Sequence, residues 1–253
     1  MTKAVKLPVT VSGVGLLCSA GIGLSGLNTA PPGPVPGFRA RDYVSDRKRL
    51  KLMTRGVQLG VAGVNLALAA CEGWQHHPPD RRGIYVGASP QLADSHELAP
   101  ALNSAMTQDG FDLQKFATQG YPLIHPLWLL RGLSNNILGM TSATHNLQGV
   151  NANYCDGSEG GWTAILEGAH AVADGRADLA IAGGADALVG ADTLVGQPCG
   201  EGAAFMVFTR STTQTLTLDR SVLSSQSQEL GYLGAAQWPV AFARFFLKQS
   251  GCS

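Results

Sequence analysis

Residues 150–184 are predicted to join a short strand, a glycine-rich turn, a helix and a second strand. The turn reads Cys155-Asp156-Gly157-Ser158-Glu159-Gly160-Gly161, and we predict a strand before it at 150–154 and a helix after it at 161–173. Gly175 ends the predicted helix, and a strand at 179–182 runs into Gly183 and Gly184. This succession is typical of an α/β fold that presents a side chain at a helix N-terminus.

Composition narrows the class of protein. The chain has 253 residues, of which 45% are hydrophobic and 14% are charged, and its 32 glycines indicate many tight turns. Because 18 basic residues balance 18 acidic ones, we expect no general affinity for nucleic acid. The cysteines are odd in number and lack metal-ligand spacing, so we expect free thiols in a reducing, cytoplasmic compartment: Cys18, Cys71, Cys155, Cys199 and Cys252. The sequence has no phosphate-loop signature or spaced ligand set, so we expect no metal and no cofactor.

The N-terminus resembles a lipoprotein signal, since Lys3 and Lys6 precede an apolar run that ends at Cys18. Leu17 is larger than the small residues usual at such a cleavage site, and glycines interrupt the run. We therefore predict a buried first strand at 7–17. No stretch of the sequence predicts a transmembrane segment.

The rest of the chain alternates predicted helices and strands. After a Pro-rich loop at 31–37, we predict a helix at 45–70, a strand at 84–88 and a helix at 97–116 that breaks at Gly110. A further helix begins at Pro126, with five apolar positions expected to be buried: Trp128, Leu129, Leu133, Ile137 and Met140. Towards the C-terminus we predict a turn at 200–203, strands at 204–208 and 216–223, and an amphipathic helix at 238–248.

Several of these residues follow the pattern of a known family. Asn135, Gly139, Gly149, Gly175 and the pair Gly183-Gly184 fall without a gap on positions shared by bacterial ketosynthases (β-ketoacyl synthases), which the chain therefore resembles over residues 1–210. The resemblance implies the N-terminal half of a thiolase-like α/β fold, with a mixed five-stranded sheet and helices on both faces. Residues 211–253 form a divergent C-terminal extension, which we expect to pack on the same domain.

On this register Ser158 stands where a ketosynthase has its acylated cysteine, and Cys155 lies three residues too early. A serine hydroxyl stays protonated unless a base lies beside it, whereas a thiol at a helix N-terminus is partly ionised. None of the six histidines falls in the family's catalytic-histidine motifs: His76, His77, His96, His125, His145 and His170. We therefore expect no catalytic residue.

Three interpretations of the turn remain open. Asp156 and Glu159 satisfy an Asp-x-x-Glu capping box, and Ser158 alone satisfies the preference for an N-cap, so the polar residues are explained by helix capping without catalysis. Alternatively, Ser158 or the displaced Cys155 is the nucleophile of an acyltransferase or esterase. The first interpretation describes a binding subunit.

Such subunits exist in the family the chain resembles. Chain-length factors have a ketosynthase-like sequence with a non-cysteine residue at the nucleophile position, and they dimerise with an active ketosynthase. Because the chain is short, it most resembles the short ketosynthase-like subunit of aryl polyene assembly. By resemblance, it forms a heterodimer with an active ketosynthase, receives acyl groups on an acyl carrier protein and closes a tunnel for the growing chain.

The same resemblance assigns candidate residues to each contact. In ketosynthase-like dimers the strand before the nucleophile pairs with its two-fold mate, which here implies Val150, Asn151, Ala152, Asn153 and Tyr154. Tunnel residues are expected within 91–102 and in the helix after Pro126, with Leu98 and Trp128 first, followed by Leu129 and Leu133, although ordinary core positions explain them too. The acidic carrier protein is expected to dock on a basic cluster, although such a run more often forms a solvated helix face: Arg47, Lys48, Arg49, Lys51 and Arg55.

Overall fold

The computed structural model describes residues 4–44, 46–89, 97–223 and 229–251. Its strands are β1 Val5–Leu7, β2 Val9–Cys18, β3 Gly21–Ile22, β4 Arg82–Gly87, β5 Met106–Thr107, β6 Gly110–Phe111, β7 Asn151–Tyr154, β8 Leu179–Ala187, β9 Glu201–Arg210 and β10 Leu216–Leu218. Its helices are α1 Arg47–Leu50, α2 Arg55–Ala69, α3 Ala99–Ser104, α4 Leu113–Lys115, α5 Trp128–Arg131, α6 Asn136–His145, α7 Gly157–Ala173, α8 Asp192–Val195 and α9 Gln237–Gln249.

A mixed sheet forms the centre of the molecule. Its strand order is β3-β2-β9-β8-β4-β7, in which β8, β4 and β7 are parallel and β9 is antiparallel to both β2 and β8. Five strands match the expected number, and the sixth is the two-residue β3, which extends the edge beside β2. Strands β4 and β7 end at the same level, where Gly87 lies opposite Tyr154 and Gly184, and β8 continues to Ala187. Side chains that follow these ends are therefore brought together.

Helices cover both faces of the sheet, as expected. Strand β9 shows the division, because successive side chains of a strand point to opposite faces: Phe205 and Val207 pack in the core cluster that contains α2, while Met206 and Phe208 pack in the cluster that contains α7 and α9. Helix α6 joins the α2 side through Ile137. Burial on both faces explains why β8 and β9 are almost continuously apolar.

The single helix predicted at 45–70 is wrong, because the structure has α1 and α2 with a break between them. The Asp46 carboxylate caps α1 by accepting from the backbone N–H groups of Lys48 and Arg49. Thr54 is extended and α2 begins after it, while the Gln58 side chain donates to the Met53 carbonyl at 3.1 Å. Helical spacing of apolar residues continues across such a turn, so periodicity does not show the break.

Residues 97–116 do not form the predicted broken helix either. Helix α3 is followed by a small hairpin of β5 and β6, and the chain becomes helical again only at α4. The Thr107 hydroxyl closes the hairpin turn by donating to the Gly110 carbonyl at 2.9 Å and accepting from the Asp109 N–H at 3.3 Å. This local bonding replaces helical hydrogen bonds.

The helix predicted from Pro126 is two helices, α5 and α6. The Asn136 side chain donates to the carbonyls of Leu130 and Arg131, which terminates α5. Trp128 and Ile137 are buried as predicted, and Met140 is half-buried. The expectation of burial is wrong for the other two positions, because Leu129 is 68% exposed and Leu133 is 47% exposed.

The C-terminal residues pack against the sheet. Strand β10 pairs antiparallel with β1, a 3-10 turn at Arg220–Leu223 occupies the rest of the predicted strand 216–223, and α9 forms where a helix was predicted. Val240 and Phe242 of α9 are buried in the core cluster on the α7 side. The turn predicted at 200–203 is instead the start of β9, which pairs from Glu201 onward with β8.

Candidate functional site

The candidate site lies where β7 leads into α7. Cys155 and Asp156 are exposed after the end of β7, and Ser158 is the second residue of α7 and half-buried. Helix α7 begins at Gly157, four residues earlier than predicted. Because β4, β7 and β8 are parallel, their carboxyl ends lie at the same edge of the sheet. Ser158 shares this edge with Ser89 after β4 and Asp186 near the end of β8.

The capping box expected here is not formed. The side chain of Asp156 makes no capping hydrogen bond, and Ser158 lies inside the helix rather than at its N-cap. Both carboxylate oxygens of Glu159 accept from the Arg220 guanidinium at 2.5 Å, so this side chain faces the C-terminal residues. Tertiary ion pairing has replaced the local motif.

A short C-terminal segment, residues 229–236, crosses this edge of the sheet, and we call it the tail loop. Its backbone pairs with the chain between β8 and β9: the Tyr232 N–H donates to the Pro198 carbonyl at 2.9 Å, and the Gly200 N–H donates to the Tyr232 carbonyl at 3.0 Å. The side chains of Leu230 and Leu233 are buried in the core. The tail loop is therefore held from both its backbone and its side chains.

A buried carboxylate anchors the tail loop. Asp186 is 3% exposed and accepts from the Ser89 hydroxyl, from the Ala235 N–H at 3.2 Å and from the Ala187 N–H at 3.0 Å. Burial raises the pKa of Asp186, although these hydrogen bonds oppose the shift by stabilising the charged form. The carboxylate thus joins β8, the end of β4 and the tail loop.

Two glycines allow the tail loop to approach the sheet and α7 closely. A Cβ on Gly161 would lie 2.0 Å from the Ala235 carbonyl oxygen, and a Cβ on Gly184 would lie 2.4 Å from the same atom. Only glycine leaves room for this carbonyl. Gly161 and Gly184 therefore have a packing role against the tail loop.

The side chain of Tyr232 reaches the start of α7. A Cβ placed on Gly157 would lie 3.2 Å from the Tyr232 hydroxyl oxygen. Burial raises the pKa of the Tyr232 phenol, nearby Asp186 and Cys199 raise it further, and a hydrogen bond from the Ser158 backbone lowers it. The phenol oxygen consequently lies beside the first amides of the helix.

Neither candidate nucleophile has an activating base among the residues that the structure describes. The Ser158 hydroxyl makes no hydrogen bond to a described histidine or carboxylate, and the Cys155 sulfur accepts from the Asn153 amide at 3.1 Å. His170 lies in the last turn of α7, and the His145 ring is hydrogen-bonded to Asn65 at 2.6 Å. Burial lowers the pKa of His145, which favours its neutral form.

The predicted interface strand is an edge strand. Among the described residues, strand β7 pairs with β4 on one side only, and its residues Asn151 to Tyr154 are exposed or half-buried. Val150 precedes the strand and its carbonyl accepts from Ile84 at 3.1 Å. The free backbone edge of β7 is thus available for pairing.

The predicted tunnel residues have different environments. Leu98 is half-buried before α3, Trp128 is buried at 9% exposure, and Leu129 and Leu133 project to the surface. Within the predicted tunnel stretch 91–102, residues 91–96 lie outside the described part of the chain. The tunnel assignment therefore stays a prediction.

Exposed apolar side chains are concentrated in one stretch of the chain. Among the described residues, ten of the fourteen large apolar side chains that are exposed lie within residues 102–133, which we call the apolar segment. They are Leu102, Met106, Phe111, Leu113, Tyr121, Leu123, Leu127, Leu129, Leu130 and Leu133. Such a concentration marks an interaction surface more often than an isolated exposed leucine does.

The basic cluster is divided by the structure. Arg47, Lys48 and Lys51 are exposed on and after α1, and Arg49 bonds to Thr144 and lies 3.3 Å from Asp46. Arg55 forms a bidentate pair with the buried carboxylate of Glu201, although 39% of the Arg55 side chain is exposed. Its charge is therefore already paired within the chain, unlike those of the exposed Arg47, Lys48 and Lys51.

Sequence reasoning missed three residues of this site: Ser89, Asp186 and Tyr232. A polar signal was present for Asp186, because a carboxylate follows the buried Ala182-Gly183-Gly184-Ala185 run near the end of a strand. Tyr232 carried no such signal, since its contact with the start of α7 joins residues more than 70 positions apart.

The described residues contain no cluster of acidic, histidine and cysteine side chains suited to a metal ion. Within the same residues, no helix combines the length and apolar character needed to cross a membrane.

No protein-family model matches the chain, and no curated protein matches its sequence. Its fold matches solved structures. The ishigamide ketosynthase/chain length factor superposes with a TM-score of 0.65 at 18% identity, over 81% of this chain and 59% of that one. A type II polyketide synthase acyl-carrier protein in complex with its ketosynthase, AntDE:AntF, gives 0.63 at 18% identity, over 81% and 64%.

A third structure, a ketosynthase in complex with its chain length factor from Xenorhabdus doucetiae, gives a TM-score of 0.55 at 15% identity, over 82% of this chain and 59% of that one. The chain spans about three fifths of the length of these structures. The thiolase-like fold expected from the sequence is confirmed by these superpositions.

Proposed function

We propose that this chain is a non-catalytic, chain-length-factor-like subunit that pairs with an active β-ketoacyl-ACP synthase. In this role it helps to shape the tunnel for a growing acyl or polyene chain in fatty-acid-like or type II polyketide synthesis, with aryl polyene assembly as the specific setting. The observation that carries the proposal is the apolar segment, which leaves ten large apolar side chains exposed in the isolated chain.

The fold favours a ketosynthase as the occupant of this surface. Two of the solved structures of the same fold are described as a ketosynthase with a chain length factor. The free edge of β7 offers a second contact, because an unpaired strand is stabilised by a partner strand. Together the two features support a protein partner for the isolated chain.

The start of α7 supports the non-catalytic part of the proposal. A serine hydroxyl needs an adjacent base to become a nucleophile, and the described residues around Ser158 offer a tyrosine instead of a histidine. Exposed basic residues of α1, namely Arg47 and Lys48, are the proposed contact for the acidic carrier protein.

Co-expression with a candidate ketosynthase tests the proposal. We expect the two chains to elute together on size exclusion, and we expect elongation of a carrier-bound thioester only when the ketosynthase is present. The chain alone should show no acyl adduct at Ser158 or Cys155 by mass spectrometry. Elongation or an adduct with the purified chain alone would refute the non-catalytic role and favour an acyltransferase or esterase.

Product length tests the tunnel. We expect Trp128→Ala in the complex to shift the products to longer chains, because it removes the largest side chain proposed for the tunnel. The control is Leu194→Ala, which truncates an exposed leucine on α8 and should leave the product distribution unchanged. Unchanged products from an intact Trp128→Ala complex would show that Trp128 is an ordinary core residue.

A further inference from the structure

The N-terminus of α7 lies beside a polar group of the same chain. The first N–H groups of a helix have no partner within the helix, and they favour an oxygen with negative or partial negative charge. Ser158 is the second residue of α7, so its N–H is one of these groups. The oxygen that lies beside it is the phenol of Tyr232.

The position of this phenol is set by contacts that do not involve α7. The backbone of Tyr232 is paired on both sides, with Pro198 and Gly200. Three residues further on, the Ala235 N–H is held by the buried Asp186 carboxylate. These bonds fix the chain on either side of the tyrosine, so the phenol has a defined location.

The close approach of the tail loop supports the same conclusion. The Ala235 carbonyl lies where any side chain larger than hydrogen at Gly161 or Gly184 would collide with it. The tail loop therefore packs closely against both the first turns of α7 and β8.

We propose that Tyr232 is a built-in plug, whose phenol oxygen occupies the amide of Ser158 and excludes carbonyl and carboxylate groups of acyl ligands from the N-terminus of α7. This inference goes beyond the proposed function, because it concerns the chain by itself and needs no partner. It supplies a physical cause for the proposed lack of catalysis that is separate from the choice of serine over cysteine at position 158.

A reporter thiol tests the plug in the full-length chain. Ser158→Cys introduces the thiol, and Cys155→Ala removes the exposed cysteine that shares its tryptic peptide. Alkylation by iodoacetamide is followed by mass spectrometry of that peptide. We expect Tyr232→Ala to raise the rate at the reporter by about tenfold or more, which corresponds to a local opening cost of about 1.4 kcal/mol.

The charge of the reagent gives a second readout. Once the phenol is absent, the helix N-terminus favours anions, so the rate with iodoacetate should rise more than the rate with iodoacetamide. The control is Tyr121→Ala, which removes an exposed tyrosine from the apolar segment and should change neither rate.

Hydrogen exchange covers the case in which Tyr232→Ala fails to fold. Tyr232→Phe keeps the ring and removes only the oxygen, so the Ser158 amide should exchange faster while the neighbouring amides of α7 remain unchanged. The proposal is overturned if this amide keeps its protection in Tyr232→Phe. It is equally overturned if the reporter thiol already reacts like a free thiol with Tyr232 in place, or if a folded Tyr232→Ala variant reacts no faster.

These outcomes do not depend on a ketosynthase. A chain that fails to pair can still be plugged, and a chain that pairs can have an open Ser158 site. The two proposals therefore fail independently.

Discussion

Truncation of Leu129 tests whether this side chain belongs to an interface or to the core. Burying a whole leucine side chain contributes about 1.5–3 kcal/mol, and 68% of Leu129 is still exposed in the isolated chain. Covering this exposed part with a partner would stabilise the complex by about 1–2 kcal/mol, so Leu129→Ala should raise the dissociation constant about 5- to 30-fold. In the isolated chain the same change should alter the free energy of unfolding by only about 0.5 kcal/mol or less.

Two measurements on each variant complete the test. The dissociation constant for the ketosynthase partner is measured by calorimetry, and the free energy of unfolding of the isolated chain is measured in urea. Leu194→Ala is the matched control, because Leu194 is 90% exposed on α8 and lies outside the apolar segment. Equal affinity for both variants would refute the assignment of Leu129 to an interface, and a large loss of stability in isolated Leu129→Ala would show that it is a core residue.

Three other perturbations address the tail loop and the basic cluster. Gly184→Ala places a Cβ 2.4 Å from the Ala235 carbonyl, so we expect a loss of about 1–3 kcal/mol in urea unfolding; an unchanged midpoint would refute the close packing. The pKa of Asp186 is higher in the folded chain than in the unfolded chain, where it lies at about 3.9. The free energy of unfolding should therefore fall as the pH rises from about 3.9 through the folded pKa. Asp186→Asn should remove this contribution to the fall, and a pH profile identical to that of the unchanged protein would contradict the prediction. Lys48→Glu should weaken carrier-protein binding and reduce its salt dependence, whereas Lys115→Glu, exposed on α4, should change neither.

Much of the fold follows from local pattern. The buried strands β2, β4, β8 and β9 lie close to their predicted positions because continuous apolar runs with β-branched residues specify strands that are covered on both faces. Helix α9 was recognised from its amphipathic spacing. The breaks between α1 and α2 and between α5 and α6 were missed, since side-chain hydrogen bonds such as Gln58 to Met53 and Asn136 to Leu130 accompany the breaks without disturbing the apolar period.

The candidate site was predicted only in part. The turn around Ser158 and its place at the start of a helix were recognised, but the helix begins earlier and the predicted capping residues have tertiary partners. Local rules assign Glu159 to a cap because they contain no information about Arg220. An ion pair across the fold is chosen only when packing brings both groups together.

The amino-acid sequence by itself determined the alternation of buried strands and helices, the glycines that permit close packing, and a hydroxyl in place of a thiol at position 158. These properties depend on residue type and spacing along the chain. Only the tertiary structure decided that Asp186 holds the tail loop, that Tyr232 lies against the start of α7, and that the apolar segment remains uncovered. Each of these depends on residues far apart in the chain, whose distances are set by packing of the whole sheet and not by any local preference.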